Sequence, residues 1–138
     1  MEEIIIAVDP GKEKCGIAVV HNEQGVLLQQ VIPTIDLNPI VEQLLVKYQS
    51  GQVVIGDRTS SQEAKKKLEQ LSIAGEKLQV IFVDEHRSTD QARERYWQKN
   101  PPRGMKRFIP TTMQVPPRPV DDYVAVILAE RYFSGKGK

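Results

Sequence analysis

Three acidic residues occupy positions at which a folded chain could fix a carboxylate for chemistry. Asp9 follows the apolar run 4–8, and Glu85 comes two residues after the apolar segment 78–83. Asp121 opens an apolar helical segment. Each residue type also has ordinary uses, in a turn, at a strand end or at a helix start. If the three carboxylates meet, cations must offset their repulsion, and oxygen-only ligands favour Mg²⁺ or Mn²⁺ over zinc. Asp122, next to Asp121, is an alternative third ligand.

The elements that must position these acids follow from the hydrophobic pattern. Residues 4–8, 15–20 and 26–32 are predicted strands separated by short polar turns, which is typical of an antiparallel meander. Helical spacing of apolar residues begins at Leu37 and extends to Tyr48. We therefore expect a helix that covers one face of a sheet.

Two strand–helix units are predicted next. Residues 53–55 and 78–83 are short apolar strands, and each precedes a segment with a capping-box pattern, Ser60 with Glu63 and Ser88 with Gln91. Residues 100–119 contain six prolines and should form a long loop, whereas 120–133 should form a last helix. The predicted fold class is α/β, with a mixed five-stranded sheet in which an antiparallel meander of three strands is joined by two parallel strands and flanked by helices.

Composition limits the classes of protein to consider. A chain of 138 residues suits one domain, 1–138, and 40% apolar with 27% charged residues is typical of a soluble globular protein. The single cysteine, Cys15, excludes a disulfide framework and a multi-cysteine zinc site. Because the sequence shows no membrane-length apolar run and no signal-peptide pattern, we expect a cytoplasmic protein that does not bind membranes.

The distribution of charge indicates a possible polyanionic partner. The formal net charge is only +1, but residues 86–118 carry eight basic and two acidic side chains, which leaves the rest of the chain acidic. A basic helix and loop next to an acidic site would suit a nucleic-acid backbone. The predicted nucleic-acid contacts are Lys12, Lys14, His86, Arg87, Arg93, Lys106 and Arg107. Either Tyr96 or Trp97 could stack on a base, and Tyr96 is the better candidate for the core.

Three segments together resemble the YqgF/RuvX family of RNase H-like nucleases, which is related to Holliday junction resolvases. The first is 6–11 (IAVDPG) with 16–19 (GIAV), the second is 83–89 (VDEHRST) with 92–93 (AR), and the third is 120–121 (VD) with 125–128 (AVIL) and 132–133 (YF). Their order and spacing cover nearly the whole chain. The resemblance implies an RNase H-like fold with Asp9, Glu85 and Asp121 as the catalytic carboxylates.

The function that the resemblance implies is two-metal hydrolysis of phosphodiester bonds. Two Mg²⁺ or Mn²⁺ ions, with Asp9 bridging them, would activate a water and stabilise the leaving oxygen. The implied substrate is either Holliday-junction-type DNA, for which a homodimer would be expected, or precursor ribosomal RNA. Two alternatives remain open: a non-catalytic nucleic-acid-binding or partner-binding module, and a fragment of an actin-like ATPase. Asp57 also follows a strand, and the sequence assigns it no role.

Overall fold

The strands form one five-stranded sheet and a small separate hairpin. A computed structural model describes residues 3–57, 61–73 and 75–135 of the chain. In chain order the strands are β1 (Ile4–Asp9), β2 (Lys14–His21), β3 (Gly25–Pro33), β4 (Gln52–Gly56), β5 (Ser72–Ile73), β6 (Glu76–Lys77) and β7 (Gln79–Val83). The large sheet has the order β3-β2-β1-β4-β7, and β5 pairs with β6 in the hairpin.

The sheet combines antiparallel and parallel pairing as predicted. β1 pairs antiparallel with β2, and β2 pairs antiparallel with β3. β4 lies parallel to β1, and β7 lies parallel to β4. This arrangement places the carboxyl ends of β1, β4 and β7 at one edge of the sheet, which is where ligands gather in sheets of this kind.

Four α-helices cover the two faces of the sheet. They are α1 (Leu37–Tyr48), α2 (Ser61–Leu68), α3 (Ser88–Lys99) and α4 (Asp121–Phe133). α1 and α2 pack on the face that contains Ile6 and Val8, whereas α3 and α4 pack on the face that contains Ile5 and Ala7. Since side chains alternate along a strand, Asp9 belongs to the face covered by α4. No helix in the described part of the chain is long and apolar enough to cross a membrane.

The structure corrects one local prediction and adds an element. α3 begins at Ser88, but its N-cap is Arg87 in the left-handed region (φ 59°), and no side chain caps the helix. The reason is that the Ser88 amide bonds to the Glu85 carbonyl, so a backbone turn closes the helix start without a serine cap. Ser60, the first residue of the other proposed capping box, lies outside the described residues. The β5–β6 hairpin was not predicted, because its strands are only two residues each.

The proline-rich segment 100–119 is a loop, as predicted, but it contains regular turns. Two short 3₁₀ helices, Gly104–Phe108 and Thr111–Met113, lie within it. A third 3₁₀ turn, Thr34–Asp36, connects β3 to α1. The loop then leads into α4 at the sheet edge where β1 ends.

Candidate active site

Asp9 lies at the carboxyl end of the central strand and is buried. Only 6% of its surface is exposed, although a carboxylate is normally solvent-facing. Across the antiparallel pair it faces Gly16 of β2. On its other side Val8 pairs with Ile55, so continuing that parallel register by one residue brings Asp9 opposite Gly56 of β4. Asp9 is therefore flanked by two glycines in a single row across the sheet.

The glycine on the β2 side gives space to the start of α4. A Cβ atom at Gly16 would overlap the carbonyl oxygen of Asp121. The Cα atoms of directly opposed residues in an antiparallel pair lie about 5 Å apart, so the first turn of α4 sits beside Asp9. The backbone of Asp121 therefore lies next to the end of β1.

The glycine on the β4 side gives space to Glu85. A Cβ atom at Gly56 would overlap the carboxyl carbon and Oε1 of Glu85. Neighbouring strands lie about 4.8 Å apart, so the carboxyl groups of Asp9 and Glu85 occupy adjacent positions on the same face. Glu85 is 5% exposed. Two carboxyl groups are therefore buried together at this edge of the sheet.

The backbone around Glu85 is held by two residues that are distant in sequence. Oδ1 of Asp57 accepts a hydrogen bond from the Glu85 amide at 3.2 Å. The guanidinium of Arg131, on α4, donates to the carbonyls of Asp84 at 2.6 Å and His86 at 2.7 Å. The sequence assigned no role to Asp57 and did not indicate Arg131. The sequence around Arg131 contains no motif that predicts this contact, because its partners are more than forty residues away.

Asp122 differs from its neighbour Asp121 in its surroundings. Its carboxylate accepts a hydrogen bond from the Gln29 side chain at 2.8 Å and from the Arg118 guanidinium at 3.2 and 3.3 Å. The hydrogen bond to Asp122 raises the pKa of Arg118, whose guanidinium also lies over the Tyr96 and Tyr123 rings. Asp122 is thus fixed in a network directed towards β3 and the loop, whereas Asp121 is partly exposed beside Asp9.

The arrangement meets some of the requirements for a divalent cation. Asp9 and Glu85 offer buried oxygen donors, which is the chemistry that Mg²⁺ and Mn²⁺ prefer. Within residues 3–57, 61–73 and 75–135, however, no three Asp, Glu, His or Cys side chains form a group that could hold an ion. The donor type and the burial fit a cation, but this side-chain arrangement does not supply a third protein ligand.

The residues predicted to contact nucleic acid all lie on the surface. The exposed set comprises Lys12, Lys14, His86, Arg87, Arg93, Lys106 and Arg107. Arg87 forms an ion pair of 3.9 Å with Asp90 and lines a groove of about 550 Å³ between α3 and residues 111–114. Trp97 also lines this groove, whereas Tyr96 is buried in the core, as expected.

Solved structures with the same architecture are RuvC proteins. RuvC of T. thermophilus in complex with a Holliday junction substrate superposes with a TM-score of 0.56 at 15% identity, and 99% of each chain is covered. A second Thermus thermophilus RuvC structure gives a TM-score of 0.55 at 14% identity, again over 99% of both chains. The chain has the RNase H-like fold of RuvC.

At this level of identity the likeness to RuvC establishes the fold alone. No protein-family model matches the chain, and no curated protein matches it. Assignment to the YqgF/RuvX family therefore remains a prediction from the sequence motifs. The RuvC likeness covers β1 and α4, which carry Asp9 and Asp121, and the segment after β7 that carries Glu85.

Proposed function

We propose that this protein is a divalent-metal-dependent endonuclease that hydrolyses phosphodiester bonds in branched DNA. One observation carries the proposal: the carboxyl groups of Asp9 and Glu85 are buried at adjacent positions beside the start of α4, in the row Gly16–Asp9–Gly56. Two ionised carboxylates held this close repel each other, and a bound cation would remove that repulsion. Gly56 leaves space for the Glu85 carboxyl group and Gly16 leaves space for the start of α4, so these groups come together at the end of β1.

Each residue of the site has a part in the proposed chemistry. Asp9 and Glu85 would hold the cation. Asp121 is our choice for the third carboxylate because its backbone lies beside Gly16, next to Asp9, and its side chain would have to turn towards the ion to bind it. A bound Mg²⁺ or Mn²⁺ pair would supply an activated water and stabilisation of the leaving oxygen. Asp57 and Arg131 fix the backbone that carries Glu85, so that its carboxylate is positioned before the substrate arrives.

The exposed basic residues would position the phosphate backbone. Lys12 and Lys14 lie in the hairpin that follows Asp9, and Arg87 lies two residues after Glu85. Phosphate contacts of this kind set the register of a nucleic acid without reading its sequence. Arg93, Lys106 and Arg107, together with His86, extend the basic surface along α3 and the following loop.

Branched DNA is our first choice of substrate because one of the two similar RuvC structures is in complex with a Holliday junction substrate. To cut two strands of a four-way junction symmetrically, two sites must be related by a twofold axis, so we also propose a homodimer. Precursor ribosomal RNA is the second candidate, and it rests on the sequence motifs. For RNA trimming a monomer would suffice.

Cleavage assays test this proposal. Purified protein with Mn²⁺ would be incubated with a four-way DNA junction, a linear duplex of the same sequence and a ribosomal RNA precursor. We expect cleavage of the junction, and a loss of roughly 100-fold or more for Asp9→Asn and Glu85→Gln, because ligand loss should exceed the 10–100-fold cost of removing an outer-shell partner. Glu42→Gln, at an exposed acid on α1, is the matched control and should cleave normally.

Other outcomes would identify the alternatives. Cleavage of only the RNA precursor would identify RNA, rather than branched DNA, as the substrate. Tight junction binding without cleavage would favour a non-catalytic module. Hydrolysis of ATP with every nucleic acid left intact would favour the ATPase alternative.

A further inference from the structure

An unusual number of large apolar side chains are exposed in one short stretch of the long loop. Single exposed apolar residues are normal on protein surfaces, but a contiguous cluster indicates a binding site. Phe108 is 75% exposed and Met105 is 84% exposed. We call residues 105–115 the apolar turn; its exposed apolar members are Met105, Phe108, Ile109, Met113 and Val115.

The apolar turn has a defined conformation, so this exposure does not come from an irregular chain. Its two 3₁₀ helices are connected by the Gln114 side-chain amide, which donates to the carbonyls of Lys106 at 3.1 Å and Ile109 at 2.9 Å. Thr111 and Thr112 face α3 across the groove that Arg87 and Trp97 also line. The fold therefore presents these apolar side chains outwards on a supported turn.

Charge identifies the kind of partner that would cover the apolar turn. Residues 100–119 include four basic and no acidic residues: Arg103, Lys106, Arg107 and Arg118. The Arg107 guanidinium lies 4.8 Å from the centre of the Phe108 ring. A partner that fits this surface must offer negative charge next to flat apolar groups, and a nucleic acid with unstacked bases has both.

A second copy of this chain fits the same surface poorly. In a twofold dimer the same patch lies against itself. Lys106 and Arg107 would then face their own copies, and residues 100–119 contain no acid that could neutralise them. Repulsion between like charges would oppose the contact.

The loop that carries the apolar turn is connected to the candidate active site at both ends of the neighbouring groove. The loop ends at α4, where Arg118 binds Asp122, the neighbour of Asp121. The groove between the loop and α3 extends to Arg87, two residues from Glu85. DNA that follows this groove from the Asp9–Glu85 edge would pass along residues 111–114 of the apolar turn.

We propose that the apolar turn is a wedge that separates stacked bases at the branch point of DNA, with Phe108 and Met105 between bases and Lys106 and Arg107 on the flanking phosphates. The inference rests on the proposed function, since it takes branched DNA as the ligand. Apolar side chains such as Phe and Met are known to part base steps when basic residues hold the backbone.

The test uses a four-way DNA junction with 2-aminopurine, whose fluorescence rises on unstacking, at the branch point. The protein carries Asp9→Asn to prevent cleavage, and all fluorescence is read at saturating protein. We expect a rise with this parent protein and the loss of most of it with Phe108→Ala. The substitution should also weaken binding by about fivefold or more, as expected for one lost base–aromatic contact.

Three further variants sharpen the test. Phe108→Trp should restore the fluorescence rise, because a larger ring can also stack. Val46→Ala, at an exposed apolar residue of α1, should behave as the parent does. Lys106→Ala with Arg107→Ala should lower affinity and its salt dependence while leaving the rise at saturation.

Three results would overturn the wedge alone. One is a parent protein that binds the junction with no fluorescence change, and another is Phe108→Ala behaving as the parent does. Either would leave the nuclease proposal intact if the wild-type protein still cleaves the junction. The third is light scattering that shows a dimer which Phe108→Ala dissociates, because the turn would then be a contact between copies. A parent that binds no nucleic acid would reject both proposals.

Discussion

At the scale of single residues, the two glycines beside Asp9 matter as much as the acids. The space that a Cβ atom would take at Gly56 holds the flexible end of the Glu85 side chain. At Gly16 the corresponding space holds the backbone of Asp121. A methyl group can displace a side chain more easily than it can displace a helix start. The two glycines should therefore respond differently to substitution.

We predict that Gly56→Ala removes nuclease activity with little loss of stability, because its Cβ would displace the Glu85 carboxyl group. Gly16→Ala should instead lower the melting temperature, because α4 must move. Gly51→Ala is the matched control, since a Cβ there meets nothing within 4 Å. Cleavage rates and melting temperatures of the three variants test both predictions. An active Gly56→Ala protein would contradict the position assigned to Glu85.

The sequence was sufficient to nominate individual acids but not to describe their surroundings. Asp9 and Glu85 were identifiable because each follows an apolar strand. That Asp122 bonds to Gln29, a residue 93 positions away, depends on how α4 lies across β3. The difference between Asp121 and Asp122 is therefore a tertiary effect, and adjacent residues on a helix point in different directions.

At the scale of elements, α4 packs against the candidate site at its first turn and holds the segment that carries Glu85 at its last turn. Its first turn packs over Gly16, and its last turn carries Arg131, which bonds to the backbone on either side of Glu85. The same guanidinium reaches Oε1 of Gln91 on α3 at 3.1 Å. One helix thus couples the end of β7 to the end of β1.

We predict that Arg131→Lys lowers cleavage by about 10–100-fold, because an ammonium group cannot replace a planar fork that spans two carbonyls. The Mn²⁺ concentration needed for half-maximal activity should rise, while thermal stability changes little. In Arg131→Ala, added guanidinium should recover part of the activity. Loss of stability with an unchanged Mn²⁺ requirement would show that Arg131 only supports the fold.

The order of the elements was predictable because buried strands and amphipathic helices have distinct periods. The apolar runs 4–8 and 53–55 became β1 and β4 nearly at the predicted bounds. The start of α3 was not predictable from its serine, because a left-handed Arg87 and a backbone turn replaced the cap. Six prolines predicted a loop at 100–119 but gave no sign of its two turns.

At the scale of the whole molecule, a nearly neutral chain presents two different surfaces. The edge of the sheet holds buried carboxyl groups, and the neighbouring α3 and loop carry the exposed basic residues and the apolar turn. Under the proposed function, the basic surface would hold the phosphate backbone and the buried acids would carry the chemistry.

The most direct test of this account is a crystal structure soaked in Mn²⁺, with the ion located by its anomalous signal. We predict a peak at the carboxyl end of β1, bound by the carboxylates of Asp9 and Glu85, with Asp121 completing the site. A peak bound instead through Asp122, with Arg118 displaced, would correct the third ligand. Full Mn²⁺ occupancy elsewhere in the crystal, with no peak between Asp9 and Glu85, would contradict the central claim that these acids form a metal site.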